Sequence, residues 1–106
     1  MSEQEIIMKI VKILDCTLRD GGRIINCAFP DSEIKDISYR LADANIDIVE
    51  VGFLRDAAKV DYQGNSTFFT DVDQIRPFVD HSKNTQYVSF IEYFITFDIS
   101  LTLIST

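Results

Sequence analysis

Arg19 and Asp20, with Glu50 further along the chain, are the residues whose types and placement could do chemistry. The pair ends an apolar run (Ile10, Val11, Ile13, Leu14) within the stretch LDCTLRDGG, and Glu50 lies near the end of a second, β-branched run, IDIVEVGF. In α/β folds, ligands and catalytic groups collect at the carboxyl ends of parallel strands, so charge placed where a strand stops reads as a site. Asp20, Arg19 and Glu50 at two strand ends compose a candidate metal and anion centre. A blander reading stands beside it. Asp-Gly is a common turn dipeptide, and Glu50 could face outward from an edge strand.

The elements that must position these residues can be read in order. A first strand is expected over 9–17, followed by a loop over 18–30. Pro30 and Asp31 signal a helix start, with Asp31 as N-cap and Glu33 in the first turn, where the helix dipole favours a carboxylate. Over 32–45 the residues Ile34, Ile37, Leu41 and Ala44 fall at the spacing of one buried helical stripe, and Asn45 is a suitable stop. The run 46–53 reads as a strand covered on both faces, closed by Gly52. A polar loop over 54–70 carries Gly64, Asn65 and Ser66, and it faces either a substrate or nothing in particular. Asp71 caps a short helix over 72–79 that Pro77 weakens or ends, and a third strand covers 86–93. Strand, helix, strand is a right-handed crossover unit, so the fold class is α/β with a parallel sheet. The tail 94–106, beginning FITFDISLTL, alternates like a strand yet has no place in a βα series.

Composition narrows the partners. At 106 residues with 46% hydrophobic content, the chain suits one domain with a modest core. Ten Lys and Arg against seventeen Asp and Glu give a formal charge of −7, with no basic stripe, which argues against nucleic acid. The apolar stretches are interrupted by charge, so neither a secretory leader nor a membrane span is expected, and a cytoplasmic setting is the default. Cys16 and Cys27 read as small buried thiols. Asp15 reads as structural, His81 as an exposed loop residue, and Asn26 as either a turn former or a substrate contact.

On LDCTLRDGG and DIVEVGF the chain resembles the metal-dependent lyase and aldolase (DRE-TIM metallolyase) superfamily, which includes HMG-CoA lyase, isopropylmalate synthase and 4-hydroxy-2-oxovalerate aldolase. With NCAF and VEVGFLRD, the wording is most similar to bacterial aldolase catalytic domain proteins. The resemblance implies a TIM (β/α)8 barrel, of which this chain has room for about three βα units, since the whole fold needs roughly 250 residues. It implies a lead-in over 1–8, a partial barrel over 9–93 and an aberrant apolar tail over 94–106. It also implies roles. Asp20 matches a ligand for a divalent cation (Mg or Mn), Arg19 matches the group that steadies an enolate oxygen during carbon-carbon cleavage or condensation, and Glu50 supports the centre. A hard cation wants carboxylate oxygen, and a guanidinium offers a fixed fork to an oxyanion, so these roles agree with the bare chemistry. The implied substrate is a 2-oxo acid or related carbonyl compound.

Two departures are visible. Arg23 stands where many members carry Gln or His, and the family's His-x-His metal pair has no counterpart, His81 being the single histidine. The expectation is an N-terminal fragment of such an enzyme, without turnover alone. The alternative is a non-catalytic interaction module, self-associating through an exposed third strand or the apolar tail.

Overall fold

The computed structural model describes residues 11–58, 61–92 and 99–104. Five strands and one α-helix are present among them: β1 (Leu14–Asp15), α1 (Asp31–Asp43), β2 (Ile48–Arg55), β3 (Phe68–Phe69), β4 (Gln86–Glu92) and β5 (Ile99–Ile104). They form an α/β unit around one small open sheet with the strand order β1-β2-β4-β5, mostly parallel. Because β4 pairs along β2 from Ile48 to Arg55, β1 and β3 must share the other edge of β2. β1 takes its first half, with Leu14 opposite Ile48, and β3 takes its last, with Phe68 opposite Phe53.

α1 covers one face of this sheet. Ile34, Ser38 and Ala42 are its buried residues, and Ile34 and Ala42 join Val49, Val51, Phe69 and Tyr87 of the strands in the main core. Full burial of an aliphatic side chain such as Ile34 or Val49 contributes roughly 1.5–3 kcal/mol. Ser38 enters this face because its hydroxyl has a partner there, donating to the Phe78 carbonyl at 2.5 Å. Ala44, expected in the stripe, lies past the last helical residue and is exposed. Asn45 makes the stop as expected, at φ 61°, and Ile46 N–H closes back on the Leu41 carbonyl at 3.1 Å.

Several expectations change. Asp31 is the first helical residue rather than the cap. Its carboxylate accepts from the Asn65 amide at 2.7 Å, and Asn65 Oδ1 accepts from the Asp31 amide at 3.1 Å. The loop holding Gly64, Asn65 and Ser66 is therefore fastened to the start of α1. Gly52 does not close β2. It sits at φ 81° inside the strand, at an irregularity where Glu50 pairs with Val88 but Phe53 pairs with Phe90, so β2 carries one extra residue against β4. A Cβ there would lie 2.3 Å from the Thr67 carbonyl oxygen, which receives the Phe53 amide at 2.8 Å.

The first strand pairs over two residues only, and positions 9 and 10 of the expected range lie outside the described residues. Val11, Ile13 and Leu14, of the apolar run before Arg19, are 67%, 57% and 45% exposed, and β1 lies at the sheet edge. In place of one helix over 72–79 there are two 3-10 turns, Val72–Gln74 and Arg76–Phe78, with Pro77 in the second. Asp71 caps the first as expected, its carboxylate accepting from the Asp73 amide at 2.9 Å. The tail resists a βα reading because β5 runs antiparallel to β4, Tyr87 pairing with Ile104 and Glu92 with Ile99. The edge of β4, the third strand expected from the sequence, is thus occupied from within the chain. Positions 93–98 and the rest of the apolar tail lie outside the described residues.

Candidate functional site

The residues after β1 fold back tightly. The Cys16 carbonyl accepts from the amides of Arg19, Asp20 and Gly21 at 3.1, 2.9 and 3.2 Å, which turns the chain so that Arg19 enters the structure and Asp20 leaves it. Gly21 is required by this approach, as a Cβ would sit 2.6 Å from the Thr17 carbonyl oxygen. Asp15 accepts from both the amide and the hydroxyl of Thr17, at 3.0 and 3.1 Å, a structural role as expected. Asn26 at φ 53° and Cys27 at φ 55° turn the loop again, so Asn26 is a turn former, and Cys27 is buried without a disulfide.

Arg19 and Glu50 are brought together. The Arg19 Nε donates to Glu50 Oε1, and the side chains are 19% and 2% exposed. Glu50 is therefore neither outward-facing nor unpartnered, and a carboxylate this deep needs such a partner. Burial alone would lower the Arg19 pKa. The hydrogen bond and charge of Glu50, with Asp20 nearby, outweigh that burial and hold the pKa above its ordinary value. The guanidinium lies 4.6 Å from the centre of the Phe90 ring.

The irregularity at Gly52 explains why this site exists. In an unbroken strand Glu50 and Phe53 would face opposite sides of the sheet. The extra residue puts both on the side away from α1, where Phe53 meets Phe90 edge-on at 5.7 Å and Phe68 at 5.2 Å. Three guanidiniums lie over these rings: Arg19 over Phe90, Arg23 over Phe53 at 5.6 Å, and Arg55 over Phe68 at 4.0 Å and Phe53 at 5.1 Å. Arg55 also bridges to Glu92 on β4 at 3.3 Å. None of Phe53, Arg55, Phe68, Phe90 and Glu92 was among the candidates from motif reading. Their signal was period-2 spacing, Phe53 with Arg55 and Phe90 with Glu92, in two strands that pair.

Asp20 is placed differently. Its carboxylate is 61% exposed and lies 3.3 Å from Arg23 Nε and 3.9 Å from an Arg19 amino nitrogen. A single exposed carboxylate flanked by two guanidiniums does not fit a divalent cation, which takes several oxygen ligands. Among the described residues no group of three His, Cys, Asp or Glu could hold a metal. His81 is exposed in the loop before β4.

No family model matches the chain, and no match is found among curated proteins or solved structures. No helix among the described residues is long and apolar enough to cross a membrane.

Proposed function

We propose that the chain forms the first strands of a carbon-carbon lyase or aldolase of the metal-dependent superfamily it resembles, acting in the whole enzyme on a 2-oxo acid or similar carbonyl compound through an enolate. The observation that carries this reading is the Arg19 guanidinium, aimed by a buried Glu50 at the carboxyl end of β1. Three parallel strands in the order β1, β2, β4 are compatible with the opening of a TIM barrel, while β5 lies antiparallel where the barrel's next strand would pair. In this reading Arg19 donates N–H groups to the oxygen on which enolate charge develops. Glu50 keeps the guanidinium oriented, so little reorganisation accompanies the reaction. Among the described residues no group of ligands makes the cation site that the family uses, so no step is routed through a metal here, and on this reading the chain alone has no turnover.

Oxalate, a planar mimic of a pyruvate enolate, tests the reading by amide NMR. Saturable shifts centred on Arg19, Gly21 and Glu50, weakened in Arg19→Lys, are expected. Shifts that bypass these positions sink the proposal. In a parallel assay with Mn or Mg and 4-hydroxy-2-oxo acids, steady pyruvate release would overturn the claim that the chain lacks turnover.

A second reading is favoured by the exposed apolar side chains of Val11 and Ile13, just before β1, and of Leu14 within it, the outer edge of β1 having no strand partner among the described residues. Such an edge is a template for self-association. A monomer in sedimentation at high concentration excludes it.

A further inference from the structure

We propose that Arg55 binds a carboxylate, making the aromatic layer at the ends of β2, β3 and β4 the acid-group pocket of a small carboxylic acid ligand. Among the three guanidiniums over this layer, Arg55 is the one whose Nε has no partner among the described residues. Arg19 spends its Nε on Glu50, and Arg23 spends its own on Asp20. Arg55 reaches Glu92 through one amino nitrogen at 3.3 Å, while its Nε is buried with no hydrogen-bond partner among the described residues. A buried charged donor left unmet is costly, and native folds satisfy such groups with protein, water or ligand.

The setting suits a carboxylate. Phe68 at 4.0 Å and Phe53 at 5.1 Å hold the guanidinium plane, which pre-organises its fork for two parallel hydrogen bonds. The side chain as a whole is 26% exposed while its Nε is shut off from solvent, so an acid gains the full fork only by taking the place of Glu92. Glu92 sets a carboxylate oxygen 3.3 Å from one amino nitrogen, and an incoming acid would take over that single contact. Phe53 and Phe90, ring centres 5.7 Å apart, carry Arg55 and Arg19 respectively. Carboxylate capture by Arg55 does not depend on the role proposed for Arg19.

Oxalate titration of the full chain, followed by amide NMR, separates the two. Arg55→Lys keeps the charge and loses the planar fork. It is expected to weaken oxalate binding about tenfold or more, while Glu92→Gln, which removes the competing carboxylate, tightens it. Unfolding curves matching the parent's show that both variants are folded. Binding that Arg55→Lys leaves unchanged but Arg19→Lys abolishes overturns the Arg55 site and leaves the Arg19 reading intact. Binding lost in Arg55→Lys and kept in Arg19→Lys does the reverse. A parent chain that oxalate does not perturb overturns both.

Discussion

Arg19 and Glu50 lie thirty-one positions apart in sequence and meet in a single ion pair, with Glu50 almost wholly removed from solvent. The pair ties the loop after β1 to the middle of β2, so it is a fastening of the fold as well as a candidate site. Removing Arg19 as Arg19→Leu strands a buried carboxylate and is expected to cost about 3 kcal/mol, the lower end for a broken buried pair because Arg19 keeps some contact with water. The double variant Arg19→Leu with Glu50→Leu should recover most of that loss. Urea denaturation of the two variants and the parent measures it. A single variant as stable as the parent would show that the pair is not formed.

Gly52→Ala should be among the most damaging small substitutions. The backbone is left-handed at that position, and the added methyl meets the Thr67 carbonyl oxygen. The expected loss is about 2 kcal/mol or more. Hydrogen exchange at the Phe53 amide, which bonds to that carbonyl, should accelerate in step.

The exchange of hydrogen bonds between Asp31 and Asn65 predicts coupling. Asp31→Ala and Asn65→Ala should each cost about 1 kcal/mol, and the double variant clearly less than their sum. Strict additivity in a thermal double-mutant cycle would refute the link between the start of α1 and the loop before β3.

Tyr87 carries a pH signature. Its ring is fully buried and its hydroxyl accepts from the Asp80 amide at 3.2 Å. Burial raises its pKa above the ordinary tyrosine value, and the Asp80 amide bond only partly offsets this. Since the folded state holds the proton more tightly than the unfolded chain, this contribution is whole below the ordinary tyrosine pKa. It is lost as pH rises toward the folded value. The parent's melting temperature should therefore fall more steeply than that of Tyr87→Phe above about pH 10.

Divalent cations offer a further check. With Asp20 held between Arg23 and Arg19, millimolar Mg or Mn should leave the melting temperature unchanged, since a ligand stabilises only by binding the folded state. A saturable rise would mean that a metal site forms after all.

How far this was legible from the residues differs by element. The crossover of strand, helix and strand was readable because Ile34, Ile37 and Leu41 keep a helical period and IDIVEVGF is β-branched and nearly continuous in apolar character. The pairing of Arg19 with Glu50 was only half readable. Charge at two strand ends marks a site, but which charges meet depends on the turn around the Cys16 carbonyl and on a one-residue irregularity in β2. Neither has a periodicity to detect. Asp31 looked like a cap because its type and position suit one, yet the loop partner that claimed it comes thirty-four residues later. Ser38 hid within the apolar face of α1 because its burial depends on partners distant in sequence, the Phe78 carbonyl and the Tyr87 hydroxyl. The aromatic layer was missed for a related reason. The faces of Phe53 and Phe90 are assigned only once the register between β2 and β4 is known.

The direction of β5 bears on what this sheet can become. Every strand paired with β2 runs one way, and β5 alone runs back. A ring of like-directed strands grows by adding each new member alongside the last in the same sense, and at the β4 side that succession is interrupted. With β5 in place, the rim of β1, which has no strand partner among the described residues, is the side on which a like-directed neighbour can dock directly against the parallel part of the sheet. Growth of the sheet thus has a handle at one margin and a stop at the other.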